Sequence, residues 1–319
     1  MKYYLGIDIG GTNLAVGLVD EHGRILHSDS MPARVPRPAE ELCHDTALVC
    51  RKVLADYGIT MEQVATIGAG CPGLIHDGYV VAATNLVLRN APVAALLEQE
   101  LDRSVTLCND ADAAAYGEFT VSWDQKPDPF VAITLGTGVG GSIIIDGKIR
   151  AGFNGSGGEI GHTVIRAGGR KCPCGRTGCF ERYCSGSSLE RDTRAAMARN
   201  KESLMWELAG SAKNATAKTL FRAVEQGDPA AQRVLDYYVE NLAVGVQNLI
   251  KLLQPEVLCI GGGVSYAGDA LLRPLTEKLN GMVRRRNTLP VTMVTLARLK
   301  GEAGIIGAAM WGRRQQEGV

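Results

Sequence analysis

Cys172, Cys174 and Cys179 fall within eight residues, on a stretch interrupted by Pro173, Gly175 and Gly178. That spacing is too tight for a regular helix or strand to run between them. A bridge between Cys172 and Cys174 would close a small, strained ring, so a structural disulfide is not expected there. Thiolates gathered on a Gly-rich, Pro-containing turn are the usual way to grip a soft, tetrahedral metal. The nearest fourth ligand is His162, at the end of Gly157-Gly158-Glu159-Ile160-Gly161-His162. A Cys3His zinc site is the expectation, and a reduced, metal-free loop carrying a surface histidine is the alternative.

Two acids flank this knot. Glu159 lies three residues before His162 and Glu181 two after Cys179. A metal that holds the loop would also fix both carboxylates and the second ring nitrogen of His162, which in a ligated histidine normally makes a hydrogen bond. Two carboxylates and an imidazole pointing one way suit a polyol such as a sugar. The plainer alternative is that both glutamates are solvated loop acids, the fate of most loop glutamates.

The elements that must position these residues follow from composition and pattern. The chain has 319 residues, too many for one simple core, and two domains are expected. It is 45% hydrophobic and 21% charged, an ordinary globular composition. Its 34 basic and 34 acidic residues cancel, so nothing points to a nucleic-acid partner, and no basic amphipathic stretch points to a membrane. No apolar run reaches the roughly 18 residues of a membrane helix. The N-terminus opens on an apolar strand carrying Asp8 rather than on a secretory signal. Nine cysteines, an odd number scattered through apolar segments such as those of Cys71, Cys108 and Cys259, suit a reducing cytoplasm.

Tyr3 to Ile9 reads as a buried strand, Gly10-Gly11-Thr12-Asn13 as a turn, Leu14 to Asp20 as a second strand, and Glu21-His22-Gly23 as a hairpin into Arg24 to His27. A nucleotide loop of the Walker or dinucleotide type would run from strand to helix instead. Gly10 and Gly11 let backbone N–H groups approach phosphate oxygens. Thr12 and Asn13 add side-chain donors, and Asp8 could hold magnesium through water. A plain hairpin turn explains two glycines equally well. Phe130 to Leu135, Gly136-Thr137-Gly138-Val139-Gly140-Gly141-Ser142, Ile143 to Ile145 and Asp146-Gly147-Lys148 repeat the same design: strand, glycine turn, strand, polar hairpin. The chain thus reads as an internal repeat of two halves. Two such turns facing each other across a cleft are a more specific nucleotide signal than either alone.

Glu40 to Tyr57 has helical spacing and stops near Gly58. Val64 to Ala69 is a strand leading to Cys71-Pro72-Gly73, the run Ala83-Thr84-Asn85-Leu86 follows a short hairpin, and Ala91 to Leu101 is a helix with Pro92 at its start. Val105 to Cys108 is a strand ending at Asn109. Asp110 then stands where a helix begins, at the carboxyl edge of a sheet, where open α/β sheets place their sites. Asp110 could instead be simply an N-cap, the commoner fate of an aspartate before an alanine run. Both uses fit together if Asp112 serves the helix start and Asp110 faces the cleft. Beyond the cysteine loop the chain is mostly helical. Ser188 to Arg199, Pro229 to Leu253 (capped by Asp228), Leu271 to Arg284 and Ala303 to Gln315 are helices. Val257 to Ile260 and Val291 to Val294 are strands. A third glycine turn, Gly261-Gly262-Gly263-Val264-Ser265, is either a nucleoside platform or a plain strand-to-helix loop. The expected domains are 1–120, joined by a C-terminal helix 303–319 packing back on it, and 121–302, which carries the metal loop 162–181. The break lies in the polar stretch Gly117 to Pro129.

Asp8-Ile9-Gly10-Gly11-Thr12-Asn13, Asn109-Asp110-Ala111, Leu135 to Gly141, Gly158-Glu159-Ile160-Gly161-His162 and the Cys172/Cys174/Cys179/Glu181 signature together resemble the ROK family (repressors, open reading frames and sugar kinases). The resemblance runs nearly end to end. It implies an α/β, two-domain actin-like or hexokinase-like (ribonuclease H-like) fold, and ATP-dependent phosphorylation of a hexose with glucose leading. N-acetylmannosamine, N-acetylglucosamine, fructose and allose are the alternatives. It implies that Asp110 is the general base, and that Asn85, Asn109, Glu159, His162 and Glu181 hold the sugar beside it. Zinc would be structural, on His162, Cys172, Cys174 and Cys179. ATP with Mg2+ would use Asp8, Gly10, Gly11, Thr12 and Asn13, then Gly136, Thr137, Gly138, Gly140 and Gly141, with Gly262 and Gly263 flanking the adenosine. A homodimer or homotetramer is implied as well. Family repressors carry an N-terminal helix-turn-helix, and here the first strand begins too early for one. Two positions depart from the family pattern: Asp112, where many members have Asn, and Ser142, in place of a third glycine. Outside the kinases, a sugar-sensing regulator is disfavoured by Asp110, and an actin-like or Hsp70-like ATPase without a sugar by Glu159, His162 and Glu181.

Overall fold

A computed structural model of the chain describes residues 1–282 and 290–318. The chain divides into two compact units, one of Met1–Pro127, Ser142–Gly158 and Arg298–Val319, the other of Asp128–Gly141 and Glu159–Ala297. The polar stretch Gly117 to Pro129 contains the first passage between them.

In the first unit, β1 (Tyr3–Ile9), β2 (Asn13–Asp20) and β3 (Ile25–Pro32) form an antiparallel meander. Helix α1 (Ala39–Tyr57) follows. It buries Leu42, Cys43, Thr46, Val49, Cys50, Val53 and Leu54, the period of one apolar helix face. It stops where Gly58 turns left-handed (φ 84°) and returns its N–H to Leu54 and Ala55 carbonyls. Strand β4 (Val64–Cys71) then lies parallel to β1. A small three-stranded sheet, β5 (Leu74–His76), β6 (Tyr79–Ala83) and β7 (Leu88–Ala91), precedes α2 (Val93–Leu101). Ala91 is therefore strand, not helix. Pro92 has no N–H for the ladder, and the helix begins after it. Strand β8 (Val105–Asn109) runs parallel to β4 and ends where α3 (Asp110–Gly117) starts. The sheet order is β3-β2-β1-β4-β8.

The second sheet repeats this order as β11-β10-β9-β12-β13. Its strands are β9 (Phe130–Leu135), β10 (Val139–Ile145), β11 (Lys148–Ile149), β12 (Val257–Gly261) and β13 (Met293–Leu296). Strand β12 is parallel to both β9 and β13, and its five residues are all buried. The internal repeat expected from the two glycine turns is thus present in topology: a turn-linked strand pair, a polar hairpin to an edge strand, and two further strands. Gly140 and Gly141, expected in the second turn, belong to β10, so the turn proper is Gly136 to Gly138. The last strand is displaced from Val291–Val294 to Met293–Leu296, in register with Val257–Ile260 of β12.

The helices of the second unit are α4 (Glu181–Cys184), α5 (Gly186–Arg199), α6 (Met205–Ala209), α7 (Ala217–Glu225), α8 (Pro229–Leu253) and α9 (Asp269–Met282). Asp228 caps α8, its carboxylate accepting the Ala231 N–H at 2.8 Å. The expected end of the Leu271–Arg284 helix at Arg284 lies outside the described residues, as does Val319. The last helix, α10 (Ala303–Glu317), belongs to the first unit and packs on β1, β4 and α3. Small residues make this approach possible. A methyl group on Gly6 or Gly68 would overlap the Ile305 or Ala308 carbonyl, and one on Gly307 would overlap the Ala113 carbonyl. No described helix is long and apolar enough to cross a membrane.

Candidate functional site

Strands β1, β4 and β8 are parallel and end at Ile9, Cys71 and Asn109, so one carboxyl edge of the first sheet gathers Asp8, the Gly10-Gly11 turn, Asn109 and Asp110. Asn85 reaches the same edge: its Cβ lies 3.5 Å from where a Cβ on Gly11 would stand. The cap of α3 is Asn109, not Asp110 or Asp112. Asn109 has extended backbone (φ −67°, ψ 147°), and its Oδ1 accepts the N–H groups of Ala111 (2.8 Å) and Asp112 (3.3 Å). Its Nδ2 donates to the Gly73 carbonyl at 2.9 Å. Asp110 is relieved of capping, and one carboxylate oxygen accepts the Ala111 N–H at 2.9 Å.

Burial, and then the Asp110 carboxylate, push Asp8 up to about 6 from the usual 3.8. Two acids held at one sheet edge with this mutual cost are what a divalent cation relieves. Without a cation, the fold binds the Asp8 proton more tightly than the unfolded chain does. That contribution to stability is whole below about pH 3.8 and is lost as pH rises through about 6. At about 1.4 kcal/mol per pH unit, ionised Asp8 costs the ligand-free protein at most about 3 kcal/mol. Asp8→Asn is therefore expected to raise the ligand-free Tm at about pH 8 and leave it unchanged at about pH 4. Thermal melts across that range check this, and an equal effect at both ends would contradict it.

In the second unit, Glu181 Oε2 accepts the Val139 N–H at 3.1 Å, and a side chain on Gly138 would overlap that same carboxylate. The Gly186 N–H donates to the Gly136 carbonyl at 2.7 Å. The second glycine turn is thus tied at both ends to the start of α4 and α5. Among the described residues, nothing lies within 4 Å of where a Cβ on Gly136 would stand. At the third glycine turn, Gly262 is left-handed (φ 81°) and pressed against the Leu135 backbone, where any side chain would collide. A short 3₁₀ turn, Gly263–Ala267, then leads to α9.

The four expected metal ligands come together. One ligand atom from each of His162, Cys172, Cys174 and Cys179 lies within 4.8 Å of the others. The Cys174 and Cys179 sulfurs are 3.6 Å apart, and His162 Nδ1 is 3.7 Å from the Cys172 sulfur. Tetrahedral zinc with Zn–S near 2.3 Å places its sulfurs about 3.8 Å apart, so the cage has the right size and donor set. Burial pushes the Cys179 thiol up to about 12, a cost that a bound cation removes by displacing the proton. Nδ1 faces the sulfurs while Nε2 lies 3.9 Å from Glu159 Oε2. The ring nitrogen turned away from the cage thus has a carboxylate beside it. Glu159 is 58% exposed at its side chain.

Sequence reasoning placed Glu181 with the sugar and left the second turn to its glycines. The hydrogen bond from the Val139 N–H to Glu181 spans 42 residues, and no local pattern signals it. Ser142 and Asp112, expected from the resemblance to be unusual, also meet: Ser142 Oγ donates to Asp112 Oδ1 at 2.6 Å.

Comparison with known proteins agrees with this architecture. The ROK family model matches residues 4–315. The chain is 35% identical to a glucokinase of Thermotoga maritima over 308 residues, 96% of this chain and 95% of that protein. It is 34% identical to a glucokinase of Halalkalibacterium halodurans, over 99% of this chain and 96% of that one. The solved structure of a ROK glucokinase from Streptomyces griseus, in complex with glucose and AMPPNP, superposes with a TM-score of 0.86 at 33% identity, covering 98% of this chain and 99% of that one.

Proposed function

The chain belongs to the ROK family and has its two-domain, actin-like α/β fold, and from that premise we propose that it is an ATP-dependent glucokinase. It converts ATP and D-glucose to ADP and D-glucose 6-phosphate. The end-to-end match to the two glucokinases carries this reading.

Enzymatic phosphoryl transfer is mainly positioning and charge neutralisation. In the first unit, Asp110 orients the primary hydroxyl of the sugar and accepts its proton. Asn109, fixed by the Gly73 carbonyl, and Asn85 hold neighbouring hydroxyls. The backbone of Gly10 and Gly11, with Thr12 and Asn13, takes phosphate oxygens. In the second unit, Glu159, His162 and Glu181 hold the remaining hydroxyls. Gly136, Thr137, Gly138, Gly140 and Gly141 serve the phosphates, and Gly262 and Gly263 the adenosine. Asp8 would hold the Mg2+ that arrives with ATP, whose charge would help to neutralise the triphosphate. Zinc on His162, Cys172, Cys174 and Cys179 is structural in this reading. Nine cysteines, an odd number with most of them buried, support a reducing cytoplasm. The protein acts as a homodimer or homotetramer, with no nucleic-acid partner.

The test is ADP release in a coupled assay with glucose, N-acetylmannosamine, N-acetylglucosamine, fructose and allose. Glucose is expected to give the highest kcat/KM. A higher value for another sugar reassigns the substrate. Sugar binding without ADP release points to a sensor, and sugar-independent ATP hydrolysis removes the kinase reading.

A further inference from the structure

We propose that Ser142 and Asp112 form a positioning pair for Asp110, the hydroxyl of one and the carboxylate of the other locking the first turn of α3 so that the base points one way. The inference rests on the reading of Asp110 as the general base. It deepens that reading by assigning two residues to it.

Asp110 is the first residue of α3, where a helix has its least intrahelical support. Its neighbours on both sides are restrained by side-chain hydrogen bonds. Asn109 bonds the Gly73 carbonyl and the Ala111 and Asp112 N–H groups. Asp112 accepts from Ser142 Oγ at 2.6 Å, a short, charge-assisted bond. Ser142 lies inside β10 and is 1% exposed. Its hydroxyl is therefore presented by a strand rather than by a mobile loop, and water does not compete for it. Gly70 of β4 allows the Asp110 Cα to approach within 3.7 Å of where a Cβ would stand. With β4 this close and Ser142 of β10 bonded to Asp112, the first turn of α3 has little freedom to swing. A glycine at 142 would leave Asp112 without this donor. An alanine at 112 would leave the buried Ser142 hydroxyl without this acceptor. These two residue choices are coupled through one bond.

A misplaced base costs rate rather than affinity, because binding can tolerate an orientation that proton transfer cannot. Ser142→Ala and Asp112→Ala are each expected to lower kcat about ten- to a hundredfold, with both KM values changed by no more than about threefold. The double variant should be no slower than the slower single, the mark of two residues acting through one contact. Asp112→Asn keeps an acceptor for the Ser142 hydroxyl, so it should recover most of what Asp112→Ala loses. If Asp112→Ala does not fold, Asp112→Asn alone and in the Ser142→Ala background carry the comparison, and only the second should be slow. Steady-state kinetics with glucose and MgATP, alongside thermal melts, read all of these. Losses that multiply in the double variant would overturn the pair, as would raised KM at unchanged kcat or lowered Tm at unchanged kcat. Asp110→Asn separates the two levels. Normal turnover in that variant removes the base assignment and the pair with it, whereas a dead Asp110→Asn beside a normal Ser142→Ala removes the pair alone.

Discussion

Asp110→Asn is expected to lower kcat by about 10²–10⁴, the range of a general base, while sugar affinity stays within a few-fold. The substitution is nearly isosteric. Asparagine can still accept the Ala111 N–H that Asp110 accepts at 2.9 Å, so the start of α3 should survive. What disappears is the carboxylate that takes the proton of the attacking hydroxyl. Calorimetric titration with glucose separates binding from turnover, and near-normal kcat would exclude Asp110 from the mechanism. A second readout follows from electrostatics. The Asp110 carboxylate helps to raise Asp8, so removing its charge lets Asp8 fall back toward the ordinary carboxylate range. The loss of ligand-free stability between about pH 4 and pH 8 should therefore be smaller in the variant. A merely structural Asp110 would show the smaller stability loss without the fall in kcat.

Removing the metal is the second large effect. Protein purified without added metal is expected to carry about one zinc per chain. Cys179→Ala should abolish that content, and lower Tm by roughly 5–7 °C, the equivalent of about 3–5 kcal/mol in a protein of 319 residues. The cost is high because Cys179 is fully buried and its neighbour Phe180 packs against Gly245 of α8. Alanine there also leaves the buried Cys172 sulfur without its metal. Kinetics should suffer beyond the sugar site. Glu181 follows Cys179 by two residues and holds the Val139 N–H, so loosening the loop releases the second glycine turn and should raise the KM for ATP. Metal analysis, thermal melts and ATP titrations check these in turn. A metal-free preparation with full stability and activity would refute the site.

Short-range pattern was enough for much of this protein. The cysteine spacing pointed to a metal cage, because three soft ligands within eight residues admit few other uses, and the four ligand atoms do gather within 4.8 Å. The apolar runs of β1, β9 and β12 were legible because strands in the middle of a sheet are buried on both faces. The strand–glycine–strand–hairpin motif, appearing twice, was enough to suggest the repeat that the two sheet orders display. The helix of Pro229–Leu253 followed from its cap and its first-turn proline.

Other features were decided only when distant segments met. Asn109 took the cap because β8 delivers it with extended backbone at the sheet edge, which no composition rule distinguishes from Asp110 or Asp112 doing so. Gly140 and Gly141 became strand because β10 continues through them; a glycine's meaning depends on its neighbours in space. Glu181 reached the second turn, and Ser142 reached Asp112, across 42 and 30 residues. The amino-acid sequence by itself determined which groups can ligate a metal, take a proton or admit a phosphate, since those are properties of residue type and local spacing. Tertiary structure decided which of them hold one another in place, since a hydrogen bond between distant residues exists only after the chain has paid the entropy of bringing them together.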